Sequence, residues 1–128
     1  MPSRATILYI EDNFDNRKLV SRVLEAEGYE VVEAQDAKQA LERLDTMAID
    51  LALVDINMPD IDGYTLTTRI RSSARFAGLP ILAMTANVMR GDRERSLQAG
   101  CDGYIQKPID IDTLSDQLER YLHRRGRV

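Results

Sequence analysis

The chain has no tryptophan, one cysteine and one histidine, and aromatic residues make up only 5% of it. A single thiol, Cys101, excludes an internal disulfide and suits a reducing, cytoplasmic setting. The single imidazole, His123, reads as a solvated side chain on the last helix, not as a ligand or phosphohistidine. Long apolar runs are missing too. The longest are strand-length, which excludes a bilayer span, and "MPSRATILYIED" meets acids too soon for a signal peptide. The net charge of −4 lacks the basic face of a nucleic-acid binder. The local exception is the closing "HRRGRV". There Arg124, Arg125 and Arg127 suit a helix end whose cations complement the dipole, with a linker stub or docking patch as alternatives. What is present is ordinary for a folded domain: 44% apolar and 30% charged residues in 128 positions. The expectation is one domain over residues 1–128, with its core over 5–121 and a short basic tail at 122–128.

Apolar, strand-like runs recur at Ala5 to Ile10, Tyr29 to Ala34, Asp50 to Ile56, Pro80 to Ala86 and Gly103 to Lys107. The first, third and fourth are nearly continuous in apolar character, as strands buried on both faces are. Helical stripes lie between them. Leu19, Val20, Val23 and Leu24 form one; Ala37, Ala40, Leu41 and Leu44 another; Ile111, Leu114, Leu118, Tyr121 and Leu122 a third. Gly28 and Gly100 stand where helices end, and Asp36 and Asp110 where they begin. "NVMRGDRERSLQA", from Asn87 to Ala99, is highly charged and poor in apolar anchors, so it predicts the weakest helix. Strand and helix alternate five times, which implies an α/β fold: a parallel sheet with helices on both faces.

In such sheets ligands bind beyond the carboxyl ends of the strands. Glu11 and Asp12 follow the first strand, Asp55 ends the third, Thr85 ends the fourth, and Lys107-Pro108 follows the fifth. Each has a plain reading alone: a turn former, a helix cap, a β-branched strand residue, a surface turn. Gathered at one rim they suggest chemistry. Crowded carboxylates repel, and Mg²⁺ suits an all-oxygen set of this kind. A carboxylate beside that ion can attack phosphorus and become an aspartyl phosphate. Lys107 can neutralise one phosphoryl oxygen and Thr85 can donate to another, while small Ala86 leaves room.

"ILYIEDN", "LALVDINMPDIDGY", "PILAMTA" and "AGCDGYIQKPID" together resemble the receiver domain of response regulators in two-component signalling. The resemblance implies a flavodoxin-like, doubly wound sheet of five parallel strands in order 2-1-3-4-5, with five helices in a three-layer arrangement. It implies Asp55 as phosphoacceptor. It implies Mg²⁺ held by Asp12, Asp55 and the backbone carbonyl of Asn57, with Glu11 acting through water. It gives Thr85 and Lys107 the phosphoryl group, and makes Tyr104 the switch aromatic that moves inward with Thr85. It also suggests a cis Lys107-Pro108 bond. The implied phosphodonor is a histidine kinase or histidine phosphotransfer protein, with Phe14 and Arg17 as candidate docking contacts. The implied output is a changed surface on the fourth helix, fifth strand and fifth helix, read by a downstream protein.

Three rivals are weaker. A haloacid-dehalogenase-like phosphatase needs a second aspartate where this chain has Asn57, and a cap over its substrate. A flavodoxin-like cofactor binder needs a phosphate-cradling loop where this chain has Glu11 and Asp12. A receiver-like interaction module that is never phosphorylated should lack one of the key residues. The resemblance therefore implies a signalling domain that catalyses only its own phosphorylation and dephosphorylation. With no output domain after Tyr121, it fits either a free-standing regulator or a receiver from a longer chain.

Overall fold

A computed structural model describes residues 4–56, 63–85 and 92–126. Five strands are β1 (Thr6–Ile10), β2 (Glu30–Ala34), β3 (Leu51–Asp55), β4 (Ile81–Thr85) and β5 (Gly103–Gln106). Five helices alternate with them: α1 (Phe14–Ala26), α2 (Ala37–Thr46), α3 (Gly63–Arg71), α4 (Asp92–Ala99) and α5 (Ile111–Gly126). A short 3-10 turn, Ala74–Phe76, precedes β4 and has no counterpart in the strand and helix signals above. The strands are all parallel in the order β2-β1-β3-β4-β5, as the resemblance implied.

Side-chain alternation divides the core in two. Leu8, Ile10, Ala52, Val54, Ile81 and Ala83 face α2 and α3, meeting Ala40, Leu44, Leu66 and Ile70. Ile7, Tyr9, Leu51, Leu53, Leu82 and Met84 face α1 and α5, meeting Val20, Leu24, Leu114 and Leu118. Every residue of β3 and β4 is buried, which explains their unbroken apolar runs. The edge strands β2 and β5 keep exposed positions.

The helix ends follow the sequence signals. The Asn13 side chain accepts from Asn16 N at 2.9 Å, and Asp36 accepts from Gln39 N at 2.8 Å. Asp110 accepts from Asp112 N at 3.0 Å at the start of α5. Gly28 and Gly100 take φ of +96° and +105°, a left-handed turn that closes α1 and α4. Two details differ from the stripes. Leu19 and Ile111 lie on the exposed edges of α1 and α5. Cys101 is only 5% exposed and sits in the core beside Thr67. Among the described residues, no helix is long and apolar enough to cross a membrane.

Candidate functional site

Parallel register brings four strand ends to one rim. Ile10 pairs with Val54, Asp55 with Met84, and Thr85 with Gln106. The backbone just past the strands stays bonded: Glu11 N donates to Ala34 O, Ile56 N to Met84 O and Lys107 N to Thr85 O. Glu11, Asp55 and Thr85 are therefore buried at fixed places, while Asp12 is exposed beside them. Gly63 opens α3 directly against this rim. A Cβ there would lie 2.8 Å from the Asp55 carbonyl oxygen and 2.9 Å from Ile56 Cα, so no side chain fits without moving backbone.

Carboxylate oxygens of Glu11, Asp12 and Asp55 lie within 4.8 Å of one another. Lys107 reaches two of them. Its Nζ donates to Asp55 Oδ1 at 3.0 Å and to Glu11 Oε1 at 3.5 Å, and its bond to Pro108 is cis. Glu11 Oε2 accepts from Asn13 N at 3.3 Å. Burial, then the hydrogen bond and charge of Asp55, push the Glu11 carboxyl up to about 7, against the pull of Lys107. Burial acts to lower the Lys107 ammonium, but Asp55 and Glu11 outweigh it and hold its pKa above the ordinary value. Carboxylate charge thus exceeds what one ammonium neutralises. Three hard oxygen donors with surplus negative charge form a set that fits Mg²⁺.

Of the sequence-predicted site, the structure brings together Glu11, Asp12, Asp55, Thr85 and Lys107 at the rim. Tyr104 lies on β5 opposite Ala83, on the face shared with Thr85, and is 36% exposed. Asn57, Ala86 and Asn87 lie outside the described residues, as do Arg127 and the side chains of His123, Arg124 and Arg125. Phe14 is 61% exposed at the start of α1. Arg17 is a correction. It is not an exposed contact but is only 9% exposed, its Nη1 donating to the Glu11 carbonyl at 2.7 Å and its Nε to Glu33 Oε1 at 3.3 Å.

Tyr9, an ordinary strand tyrosine by its sequence, is a further neighbour of the site. It is fully buried on β1, and its hydroxyl donates to Glu11 Oε1 at 3.5 Å. Burial, with the charges of Glu11 and Asp55, raises the phenol far above its ordinary pKa, so it stays a donor. The signal was its spacing: two residues before Glu11, on the same side of an extended chain.

The family model of the response regulator receiver domain matches residues 7–119. The polar-differentiation response regulator DivK of Brucella anthropi is 34% identical over 117 residues, which cover 91% of this chain and 95% of that protein. Among solved structures, the chemotaxis protein CheY4 of Vibrio cholerae superposes with a TM-score of 0.87 at 29% identity, covering 91% of this chain and 98% of that one. The receiver domain of a sensor histidine kinase of Pseudomonas aeruginosa, with magnesium coordinated in its active-site cleft, gives 0.85 at 36% identity, covering 93% and 98%.

Proposed function

The chain belongs to the response regulator receiver family of two-component systems, and on that premise we propose that it is a phosphorylation switch whose acceptor is Asp55. One observation carries the reading. Of the two buried carboxylates that touch the Lys107 ammonium, Asp55 is the nearer, at 3.0 Å against 3.5 Å for Glu11, and it stands within reach of the Glu11–Asp12 pair. Glu11, Asp12 and Asp55 would hold Mg²⁺ together with Asn57, which lies outside the described residues. When bound, the ion supplies the positive charge that brings anionic phosphate and anionic carboxylate together.

The donor is a phosphohistidine on a kinase or phosphotransfer protein. An Asp55 oxygen attacks phosphorus, a carboxylate O–P bond forms, and the P–N bond breaks with its electron pair going to the imidazole. Lys107 turns from the carboxylate to a phosphoryl oxygen, and the Thr85 hydroxyl donates to another. Tyr104 follows Thr85, and the surface of α4, β5 and α5 shifts between two pre-existing forms to recruit a downstream protein. An apolar edge supports donor docking near the site. Phe14, Leu19 and Ile111 are exposed on α1 and α5. Leu19 and Ile111 flank a cavity of about 370 Å³ that reaches Glu11 and Lys107.

Intact mass after incubation with acetyl phosphate tests the reading. One added phosphoryl group is expected with Mg²⁺, none without it, and none on Asp55→Asn. Phosphotransfer that survives in the Asp55→Asn variant would reject the site. Failure of the wild type with both acetyl phosphate and a phosphohistidine donor would favour an unphosphorylated interaction module.

A further inference from the structure

The acidic pair sits in a three-residue link, Glu11 to Asn13, between β1 and α1. Whatever fixes the backbone of this link fixes where two of the carboxylates point. Arg17, one turn into α1, does so from below. Its Nη1 donates to the Glu11 carbonyl at 2.7 Å and reaches the Asp12 carbonyl at 3.5 Å, while Nε turns to Glu33 Oε1 at 3.3 Å. At 9% exposure this guanidinium has little water to fall back on.

Two plainer roles fit less well. Arg17 is not needed to neutralise Glu33, because Lys18 Nζ is closer to the same oxygen, at 2.9 Å. Nor does its charge assist a cation site: a guanidinium under the acidic pair repels Mg²⁺. A cation in that place opposes metal binding electrostatically, so its contribution to the site must be geometric. Its rigid guanidinium bonds the link through Nη1 while Nε holds Glu33, a two-point geometry that the single nitrogen of a lysine does not reproduce.

We propose that Arg17, oriented by Glu33, is a positioning residue that pins the Glu11 and Asp12 carbonyls and so sets their carboxylates for the metal. The inference rests on the receiver reading above, which supplies the Mg²⁺. Groups that orient a metal's ligands commonly cost about 10-fold to 100-fold in affinity when removed.

The test is Mg²⁺ titration of the full chain followed by amide NMR shifts, with urea unfolding on the same samples. Arg17→Lys keeps the charge and loses the fork; about tenfold weaker Mg²⁺ binding is expected. Arg17→Met removes a like charge yet should also bind more weakly. Glu33→Gln frees the guanidinium and should give a smaller loss of the same sign. Lower stability with an unchanged Mg²⁺ affinity in Arg17→Lys would show a merely structural role. Tighter binding in Arg17→Met would show an electrostatic one. Either overturns the proposal. If neither Arg17 variant folds, an unchanged affinity in Glu33→Gln overturns it. A wild type that fails to bind Mg²⁺ at all would sink the receiver chemistry itself, and that outcome is visible without any variant.

Discussion

Glu11 is a carboxylate held in an environment far from water. Its carboxyl is 1% exposed and is pushed from 4.5 to about 7, by burial first and Asp55 second. A carboxyl raised in the folded state contributes stability that is fully present below pH 4.5 and lost as pH rises through about 7. A shift of that size is on the order of 3 kcal/mol. Urea unfolding in metal-free buffer should therefore show the wild type losing stability across that window relative to Glu11→Gln, whose own profile lacks the step. Mg²⁺ should restore the wild type at the upper end. Parallel profiles for the two proteins would remove Glu11 as the cause. Lys107→Ala probes the opposite charge. The variant should still accept a phosphoryl group from acetyl phosphate, because Asp55 and the acidic pair remain. Its amide spectrum over α4 and β5 should then change less on phosphorylation than the wild type's. An equal change would show that Lys107 does not carry the switch.

At the scale of elements, α3 and α4 differ in how firmly they are held. α3 is anchored at both ends. Its first residue, Gly63, has no room for a Cβ beside the Asp55 carbonyl. Its last, Arg71, donates to Gly100 O at 2.8 Å, Phe76 O at 2.7 Å and Asp102 Oδ2 at 2.7 Å. Asp102 in turn accepts from Ile81 N, so one carboxylate joins α3 to the start of β4. Asp102→Ala should cost about 1–3 kcal/mol in urea unfolding, since it leaves a part-buried donor unpaired. Gly63→Ala should slow phosphorylation of Asp55, because the shift it forces runs through the acceptor's own carbonyl. An unaltered phosphorylation rate in that variant would show that the backbone absorbs the methyl elsewhere. α4 is eight residues long, and its described side chains from Glu94 to Gln98 are all exposed. A cation–π contact, Arg95 above the Tyr64 ring at 4.5 Å, ties it to α3. Amide hydrogen exchange should be faster in α4 than in any other helix, and far faster than in β3 or β4.

At the scale of the molecule, one sheet separates two apolar layers yet belongs to both. Leu66 packs on one side and Leu82 on the other, both fully buried. Alanine at either should cost about 2–5 kcal/mol. Because both layers rest on the same five strands, urea unfolding of each variant should remain one cooperative transition. Two separated transitions would show that the layers unfold independently.

The sequence alone determined the alternation of strand and helix, and with it a parallel sheet, because burial on both faces writes an unbroken apolar run into β3 and β4. It also placed Glu11, Asp12, Asp55, Thr85 and Lys107 at strand ends, because each apolar run stops at a polar residue. The strand order came from resemblance, since periodicity does not say which strands are neighbours. The face of α3 was harder to read because buried Thr67 interrupts its apolar spacing and is satisfied within the helix by the Gly63 carbonyl. Only tertiary structure decided what Tyr9 and Arg17 do. A tyrosine in a strand and an arginine on a helix look ordinary in one dimension. Their partners are a carboxylate on the same face and two carbonyls in a turn, and both acquire weight from burial, which the fold creates. The same holds for the Glu11 carboxyl: its identity is in the sequence, but its charge state follows from how close Asp55 is brought and how completely water is kept away.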